Sequence, residues 1–347
     1  MASWIPDRAT GDTEFARVFG LRENLFAHFG DFYSRLWDPA VLDPVIVELC
    51  RLRVAQLVGC GTEQAVRSRP AVDRGLTEDT VADLPSWPTA SRFDGTMRAC
   101  LGFTEQFVID PSGISADDRA LVRNAVGFAH MVGLAQAVAA FDGFSRFRLV
   151  LDIGSDRDAG AVTVVDVGVP DSSVPAIDPG DGDPDDPARG FSAAQPSLFA
   201  SFERLYAVLW SGGVVDHPSK EVARLRNARV TGCKFCRNVR FARARQDGLT
   251  ETIVDLVADG YEVTALSEAH KAVIALTDAF LGDPRAGLAE ATRRGLLAHY
   301  GSTGTVELSA GLALFMGFSK IAVALGAFPD DFPTTVIPTP GATPVAG

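Results

Sequence analysis

Apolar side chains recur at helical spacing through most of this chain. In ELCRLRVAQLVGC, residues 48–60, Leu49, Leu52 and Leu57 fall on one face and arginines on the other, which is typical of an amphipathic helix. DDRALVRNAVGFAHMVGLAQAVAAFDGF, residues 117–144, is apolar over a wide arc and predicts one long helix. These patterns predict an all-α fold.

One of the predicted helices has clear ends. LSEAHKAVIALTDAFLGDP, residues 266–284, opens with Ser-x-x-His and stops at Gly282 and Pro284. Its apolar residues Val273 and Ile274 are expected to face the core. Strand-like alternation is confined to AVTVVDVGV, residues 161–169, for which the sequence shows no partner strand.

The chain consists of two similar halves. LFAHFGDFYSRLW at 25–37 aligns with LFASFERLYAVLW at 198–210, an offset of 173 residues. The same offset aligns 48–60 with EVARLRNARVTGC, residues 221–233, and FDGFSRF then aligns with FMGFSKI at an offset of 174. A register held over so long a stretch indicates a tandem duplication.

The duplication predicts five segments. They are an N-terminal extension at 1–19, a first repeat at 20–154, an acidic Pro/Gly linker at 155–192, a second repeat at 193–328 and a Pro/Thr-rich tail at 329–347. The acidic half of the linker can bury little surface and is expected to be solvated, and the tail is expected to be extended or frayed. The two repeats are expected to pack against each other as a pseudo-dimer.

Charge and composition narrow the choice of partners. The chain has 44 acidic and 32 basic side chains and a formal net charge of −12. This charge disfavours nucleic acid and anionic membrane surfaces as partners. The first residues show no secretory signal, and no uninterrupted apolar run of about 18 residues suggests a membrane span. We therefore expect a cytoplasmic protein with reduced thiols.

Two of the five cysteines form a CxxC pair in VTGCKFCRNV, residues 230–239. Cys233 and Cys236 are one helical turn apart, so they can form a disulfide reversibly. Gly232 predicts that the pair opens a helix, whose free N–H groups favour a thiolate. Arg240 projects from the same face and adds positive charge. This arrangement favours thiol redox chemistry.

Two other interpretations of the pair stay open. A zinc site needs four ligands, usually from two such pairs, and the other three cysteines form no second close pair. Two inert core thiols are the other interpretation. The charged neighbours Lys234 and Arg237 argue against it. We expect no metal and no cofactor.

The wider spacing resembles the carboxymuconolactone decarboxylase / alkyl hydroperoxidase D-like superfamily. Glu221, Cys233, Cys236 and Arg240 stand where that pattern has Glu, CxxC and His, and the stretches RLRNARVTGCKFC, DGLTE and HKAVIALTDAFL are also similar. The resemblance implies an all-α fold that is usually oligomeric, here a homo-dimer or homo-trimer of the fused chain. In peroxidase members the second cysteine attacks the peroxide and the first resolves it. By position, Cys236 is then the nucleophile, Cys233 the resolver and Glu221 a proton acceptor.

The chain departs from this pattern at Arg240. An arginine stays protonated, so it cannot accept a thiol proton, although it can hold a thiolate or orient an anionic substrate. Either Glu221 acts directly as the base, or His270 or His299 replaces the missing histidine in space. The simpler structural interpretation is that Glu221 pairs with an arginine of its own helix.

The first repeat has a single thiol at the corresponding place. Its equivalent residues are Glu48, Cys60, Glu63 and Arg67. Cys60 and Glu63 could form a thiol–carboxylate pair, but a decayed site retained for packing is the favoured interpretation.

Three functions follow from these observations. The leading one is a thiol-dependent oxidoreductase that reduces a peroxide or a related small molecule and is recycled by a thiol reductant protein. The second is a cofactor-free lyase or isomerase acting on a small carboxylate, with Arg240 and Arg67 as anchors. The third is a redox-sensing protein without catalytic activity.

Overall fold

The computed structural model describes residues 3–154, 162–169, 187–328 and 331–341, and regular structure within them is mostly helical, as predicted. The α-helices are α1 (Glu14–Phe19), α2 (Glu23–Arg35), α3 (Pro44–Val58), α4 (Gly61–Gln64), α5 (Arg69–Asp73), α6 (Glu78–Ala82), α7 (Gly95–Ile109), α8 (Ala116–Val126), α9 (Phe128–Val150), α10 (Pro187–Ala194), α11 (Pro196–Ser211), α12 (His217–Val230), α13 (Lys234–Asn238), α14 (Ala242–Gln246), α15 (Glu251–Leu256), α16 (Glu268–Leu281) and α17 (Glu290–Ala324). Short 3-10 helices lie at Gly20–Arg22, Leu84–Ser86, Pro111–Gly113, Tyr261–Val263 and Pro284–Ala286. The strands are β1 (Val66–Ser68), β2 (Thr163–Val165), β3 (Val239–Phe241) and β4 (Thr335–Ile337).

The order of elements repeats with the offset found in the sequence. The series from α2 to α7 is matched by the series from α11 to α16, and β1 is matched by β3. The predicted ends of α16 are confirmed, since Ser267 caps its first turn and Gly282 follows its last residue. Val273 and Ile274 of this helix are fully buried, as expected.

The long helix predicted across residues 117–144 is in fact broken. Gly127 has a φ of +84° and separates α8 from α9, which meet at an angle of 111°. Gly301, with a φ of +62°, makes the equivalent break inside α17. Glycine adopts such positive φ values without the steric penalty of a side chain. Hydrophobic periodicity does not reveal the break, because both helices are apolar.

Each repeat is completed by a short parallel strand pair. β2 pairs with β1, aligning Val66 with Thr163, and β4 pairs with β3, aligning Val239 with Thr335. The sequence shows no partner for the alternating segment that holds β2, because β1 is far away along the chain and only three residues long. β4 lies in the predicted tail and brings residues 331–341 over the second repeat.

The two repeats pack closely through α9 and α17. A Cβ atom added to Gly143 would lie 2.8 Å from the Ala313 carbonyl oxygen, and one added to Gly317 would lie 3.2 Å from the Cβ of Ala139. These two contacts are equivalent under the repeat. Because the small residues let the backbones approach, the helices form one shared core.

A buried ion network also crosses between the repeats. Asp142 accepts a hydrogen bond from Arg146 Nε at 2.6 Å and one from Lys320 Nζ at 2.7 Å. Arg146 also donates to the carbonyl of Leu281, and Lys320 to that of Val108. Each cation thus satisfies the end of a helix in the opposite repeat. Such groups are costly to bury unless they are fully paired.

The apolar helix α17 is long enough to cross a membrane and contains a window of sufficient hydropathy, although this window is not an uninterrupted apolar run. In this structure 83% of that window is buried inside the protein. Core helices with such burial meet the same length and hydropathy criteria.

Candidate active site

The CxxC pair opens α13, as Gly232 predicts. Gly232 has a φ of +72° and ends the turn after α12. Cys233 is the N-cap of α13, and its Sγ accepts a hydrogen bond from the Cys236 backbone N–H at 3.3 Å. The two Cα atoms are 5.3 Å apart and the sulfurs are at disulfide distance. The two cysteines are therefore placed to form one S–S bond.

One sulfur of the pair faces a cavity. Cys233 and Cys236 are 2% and 3% exposed. Cys236 lines a cavity of about 390 Å³ together with aromatic residues of α11 and α17 and the chain after β4. Cys233 is not among the described residues of that wall. A volume and an apolar lining of this kind are typical of small-molecule sites.

A short hydrogen-bond chain ends on Cys236. The Ser319 hydroxyl on α17 donates to Cys236 Sγ at 3.3 Å. Asn227 Nδ2 on α12 donates to Ser319 Oγ at 2.9 Å and so fixes the direction of that hydroxyl. All three residues are buried. A donated hydrogen bond favours the thiolate over the thiol.

Glu221 lies in the buried frame around the pair. Arg224 Nε donates to Glu221 Oε2 at 2.6 Å, and the backbone N–H of Phe241 donates to Glu221 Oε1 at 2.6 Å. Arg224 also donates to the carbonyls of Cys236 and Val239. The pairing of Glu221 within its own helix, expected as the simpler interpretation, is therefore present. Arg224 joins α12 to the cysteine loop and reaches the cavity wall.

Arg240 interacts with a carboxylate in the structure. Its guanidinium donates to Glu251 at 3.0 and 3.3 Å and to the carbonyls of Arg237 and Val239. Arg67 in the first repeat makes the matching bonds to Glu78, at 2.9 Å each, and to the carbonyls of Gln64 and Val66. These pairs are equivalent, so their common role is to hold the strand β1 or β3 against the following loop.

The first repeat has an ion cluster where the second has the dithiol. Glu63, at the place of Cys236, accepts hydrogen bonds from Arg51 at 2.8 Å and makes an ion pair with Arg148 at 2.6 Å. Arg51 also forms two bonds to Glu48. Burial alone would raise the pKa of Glu63, but the charges of Arg148 and Arg51 lower it. Glu63 is therefore held as a carboxylate.

The remaining thiols are unreactive by environment. Burial raises the pKa of Cys60 to about 11, and the charge of Glu63 adds to this shift. Burial also raises the pKa of Cys50 to about 12. In the thiol–carboxylate pair considered for the first repeat, the thiol thus stays protonated near neutral pH. It is a poor nucleophile, because the thiolate is the reactive form.

The histidines considered as replacement bases lie elsewhere. His270 is in the first turn of α16, and burial lowers its pKa. His299 is exposed on the first half of α17. Neither is among the described residues lining the Cys236 cavity, and the described residues contain no group of three or more metal-ligating side chains close enough to hold a metal ion.

Sequence reasoning missed Ser319 and Asn227 as parts of the site, and it expected an arginine of α12 only as a partner of Glu221. Ser319 lies in FMGFSKI, which the repeat alignment already matched, but its partner Cys236 is 83 positions away in sequence. Asn227 stands where the first repeat has Val54. That difference between aligned repeats was a usable signal for a residue specific to the second site.

The fold and the site define a duplicated helical protein. Its second repeat has a dithiol centre, and its first repeat has an ion cluster at the equivalent position. The model of the carboxymuconolactone decarboxylase family matches the chain twice, at residues 23–106 and 196–279. The chain belongs to this family, as a tandem duplication within the alkyl hydroperoxidase D-like superfamily. Comparisons with curated proteins and with solved structures gave no significant match.

Proposed function

We propose that this protein is a cytoplasmic thiol peroxidase that reduces an organic hydroperoxide at the Cys233–Cys236 dithiol. The observation that carries the proposal is that Cys236, at disulfide distance from Cys233, lines an apolar cavity large enough for a small organic molecule. The usual activities of the family agree with a role as an enzyme.

The proposed reaction uses Cys236 as the nucleophile. Its thiolate attacks the terminal peroxide oxygen, the O–O bond breaks, and the alkoxide takes a proton and leaves as an alcohol. Cys236 is then a sulfenic acid, and Cys233 attacks its sulfur, forming the disulfide and releasing water. An external dithiol, such as that of a thiol reductant protein, returns two electrons and two protons to the pair.

The neighbouring residues support distinct steps. Ser319 donates to Cys236 Sγ and so stabilises the thiolate that attacks. Arg224 places a positive charge on the cavity wall beside the loop that it holds. Glu221 is bonded to Arg224 and to the Phe241 N–H, and proton transfer through it remains part of the proposal.

The lyase alternative has less support. It needs a cation to anchor a small carboxylate, and Arg240 and Arg67 each bind a carboxylate of the chain itself. On the wall of the Cys236 cavity, Arg224 is already paired with Glu221, and Glu203 would repel an anionic substrate. A redox sensor would form the same disulfide but would not reduce peroxide repeatedly, so a turnover measurement distinguishes it from a peroxidase.

The test is thiol titration of the reduced protein before and after one equivalent of cumene hydroperoxide, followed by mapping of any disulfide. We expect a loss of two thiols, a Cys233–Cys236 disulfide, and repeated turnover when dithiothreitol is present. Cys236→Ser should abolish the reaction, whereas Cys60→Ser should leave it unchanged. One oxidation without turnover would favour the sensor, and no oxidation would refute the peroxidase.

A further inference from the structure

A second cavity lies between the repeats and beside the dithiol cavity. It measures about 160 Å³ and is bounded by α2 and α9 of the first repeat and by α11 and α17 of the second. The two cavities share three wall residues, Phe199, Phe202 and Phe318. The two cavities therefore adjoin at these rings.

The inter-repeat cavity has an almost wholly apolar wall. None of its described lining residues carries a charge, so a carboxylate or an ammonium group there would be buried without a counter-ion. The exception to its apolar character is Gln136 on α9, which is 7% exposed. Its side-chain oxygen has no hydrogen-bond partner within the described part of the chain.

An unpaired buried acceptor of this kind is unusual. Buried polar side-chain atoms nearly always have a hydrogen-bond partner, because an unpaired one has lost its water without replacement. A ligand hydroxyl in the inter-repeat cavity would supply the missing donor to Gln136. The same cavity would cover the apolar chain that carries this hydroxyl.

The equivalent rings of the first repeat are covered by another aromatic ring. Phe26 and Phe29 are the counterparts of Phe199 and Phe202, and both rings pack against Phe15 of α1, at centroid distances of 6.0 and 5.8 Å. The N-terminal extension thus covers these rings in the first repeat.

We propose that the inter-repeat cavity is a binding compartment for the tail of the substrate. It takes an uncharged alkyl or aryl chain whose far end bears a hydroxyl group, and this hydroxyl donates to Gln136. The assignment of the reactive end to Cys236 rests on the proposed function, but binding of the tail does not require the thiols.

The test measures binding in full-length protein carrying Cys233→Ser and Cys236→Ser, so that no peroxide chemistry enters. The probes are 1-octanol and its methyl ether, which lacks the hydroxyl donor, and the measurement is isothermal titration calorimetry. We expect Gln136→Leu to weaken 1-octanol binding by about threefold to tenfold, the worth of one hydrogen bond. Binding of the ether should not change, because Leu keeps the size of the side chain.

A second variant tests the location. Ile321 lines the cavity and is half-buried, so Ile321→Trp should fill the space and weaken both probes at least tenfold. Leu121→Trp is the matched control, because Leu121 is 60% exposed on α8 and lines neither cavity. Circular dichroism establishes that each variant is folded.

Two outcomes would overturn the proposal: absence of 1-octanol binding, or equal weakening of both probes by Gln136→Leu. The thiol titration with cumene hydroperoxide is independent of these measurements. Normal thiol oxidation without 1-octanol binding would refute the tail compartment alone. The expected binding pattern without thiol oxidation would refute the peroxidase alone.

Discussion

The two repeats share one backbone plan and differ in what occupies the space beside the CxxC position. In the second repeat Cys236 packs with the small side chains of Ala228, Ala322 and Ala327. In the first repeat the place of Ala322 is taken by Arg148, which reaches Glu63 at 2.6 Å. Two differences, Glu63 for Cys236 and Arg148 for Ala322, thus replace an apolar opening by a charged cluster.

The two ends of the chain cover the repeats differently. Phe15 of the N-terminal extension lies under the Arg148 guanidinium, 4.0 Å from ring centre to the central carbon, and closes the first repeat. The segment around β4, residues 331–341, covers the second repeat, where the Arg243 N–H donates to Thr339 and Asn238 donates to the Phe332 carbonyl. In the first repeat Phe15 packs directly against the Arg148 side chain, whereas in the second repeat a cavity lies beneath the C-terminal segment.

What the repeats keep in common is the frame. Both have a Glu–Arg pair in the helix before the loop, Glu48 with Arg51 and Glu221 with Arg224. The second repeat adds the chain of donors from Asn227 through Ser319 to Cys236 Sγ. The comparison teaches that the buried ion pairs are common to both repeats, whereas Cys236 of the dithiol and Asn227 of the donor chain occupy positions that differ.

The largest expected difference between the repeats is in thiol reactivity. Because burial raises the pKa of Cys60 to about 11, its thiolate fraction at pH 7.5 is a few parts in ten thousand. Iodoacetamide should therefore alkylate Cys60 in the folded protein at least about a hundredfold more slowly than free cysteine. The rate should rise about tenfold per pH unit and level off near pH 11, which peptide mass spectrometry can follow.

Unfolding in guanidinium is the control for this measurement. In the unfolded chain Cys60 should be alkylated about as fast as free cysteine, since every thiol is then in water. If native Cys60 reacted as fast as free cysteine at pH 7.5, the first repeat would hold an active thiol and the contrast between the repeats would fail.

The next effect concerns the ion cluster of the first repeat. Glu63→Gln should destabilise the protein by about 2–3 kcal/mol at pH 7, because it removes the carboxylate that Arg51 and Arg148 bind. The folded pKa of Glu63 lies below its ordinary value, so the carboxylate stabilises the protein above about pH 4.5 and loses this effect as pH falls through the folded pKa. Urea unfolding of both proteins at several pH values measures the difference.

The matched change in the second repeat is Cys236→Ser in reduced protein. This change removes no carboxylate, so it should lower the free energy of unfolding by less than Glu63→Gln does. The loss should not vary between pH 4 and 7. If the loss of unfolding free energy caused by Glu63→Gln stayed constant over this range, the assignment of Glu63 as a buried carboxylate would be contradicted.

The repeats and the helical class were predictable because they depend on patterns spread over many residues. The ends of α16 were also predictable, since Ser267 and Gly282 act locally. The break at Gly127 and the pairing of β2 with β1 were not, because an apolar helix hides its interruption and a three-residue strand carries little signal. Within the site, sequence could place the cysteines on one turn, but Ser319 reaches Cys236 only through the packing of α17.

A smaller effect separates two interpretations of Arg240. If Arg240 and Arg67 only hold the frame, Arg240→Met and Arg67→Met should cost a similar amount, about 1–2 kcal/mol each, since Glu251 and Glu78 are themselves 47% and 61% exposed. If Arg240 also favours the thiolate, as predicted from sequence, Arg240→Met alone should slow alkylation of Cys236 near neutral pH. Urea unfolding tests the role of Arg240 in the frame, and the pH dependence of Cys236 alkylation tests its effect on the thiolate.

The smallest and most local expected effect is at Ser319. Ser319→Ala removes the donor to Cys236 Sγ, so it should raise the pKa of the reduced Cys236 thiol by about half a unit to one unit, which corresponds to one ordinary hydrogen bond. The pH profile of iodoacetamide alkylation in reduced protein would shift upward by this amount. Ser145→Ala is the matched control, because Ser145 is the aligned and equally buried serine of the first repeat, where Glu63 replaces the sulfur. Equal shifts in both variants would mean that Ser319 acts through packing alone, whereas a shift confined to Ser319→Ala ties the reactivity of Cys236 to the hydroxyl that Asn227 orients.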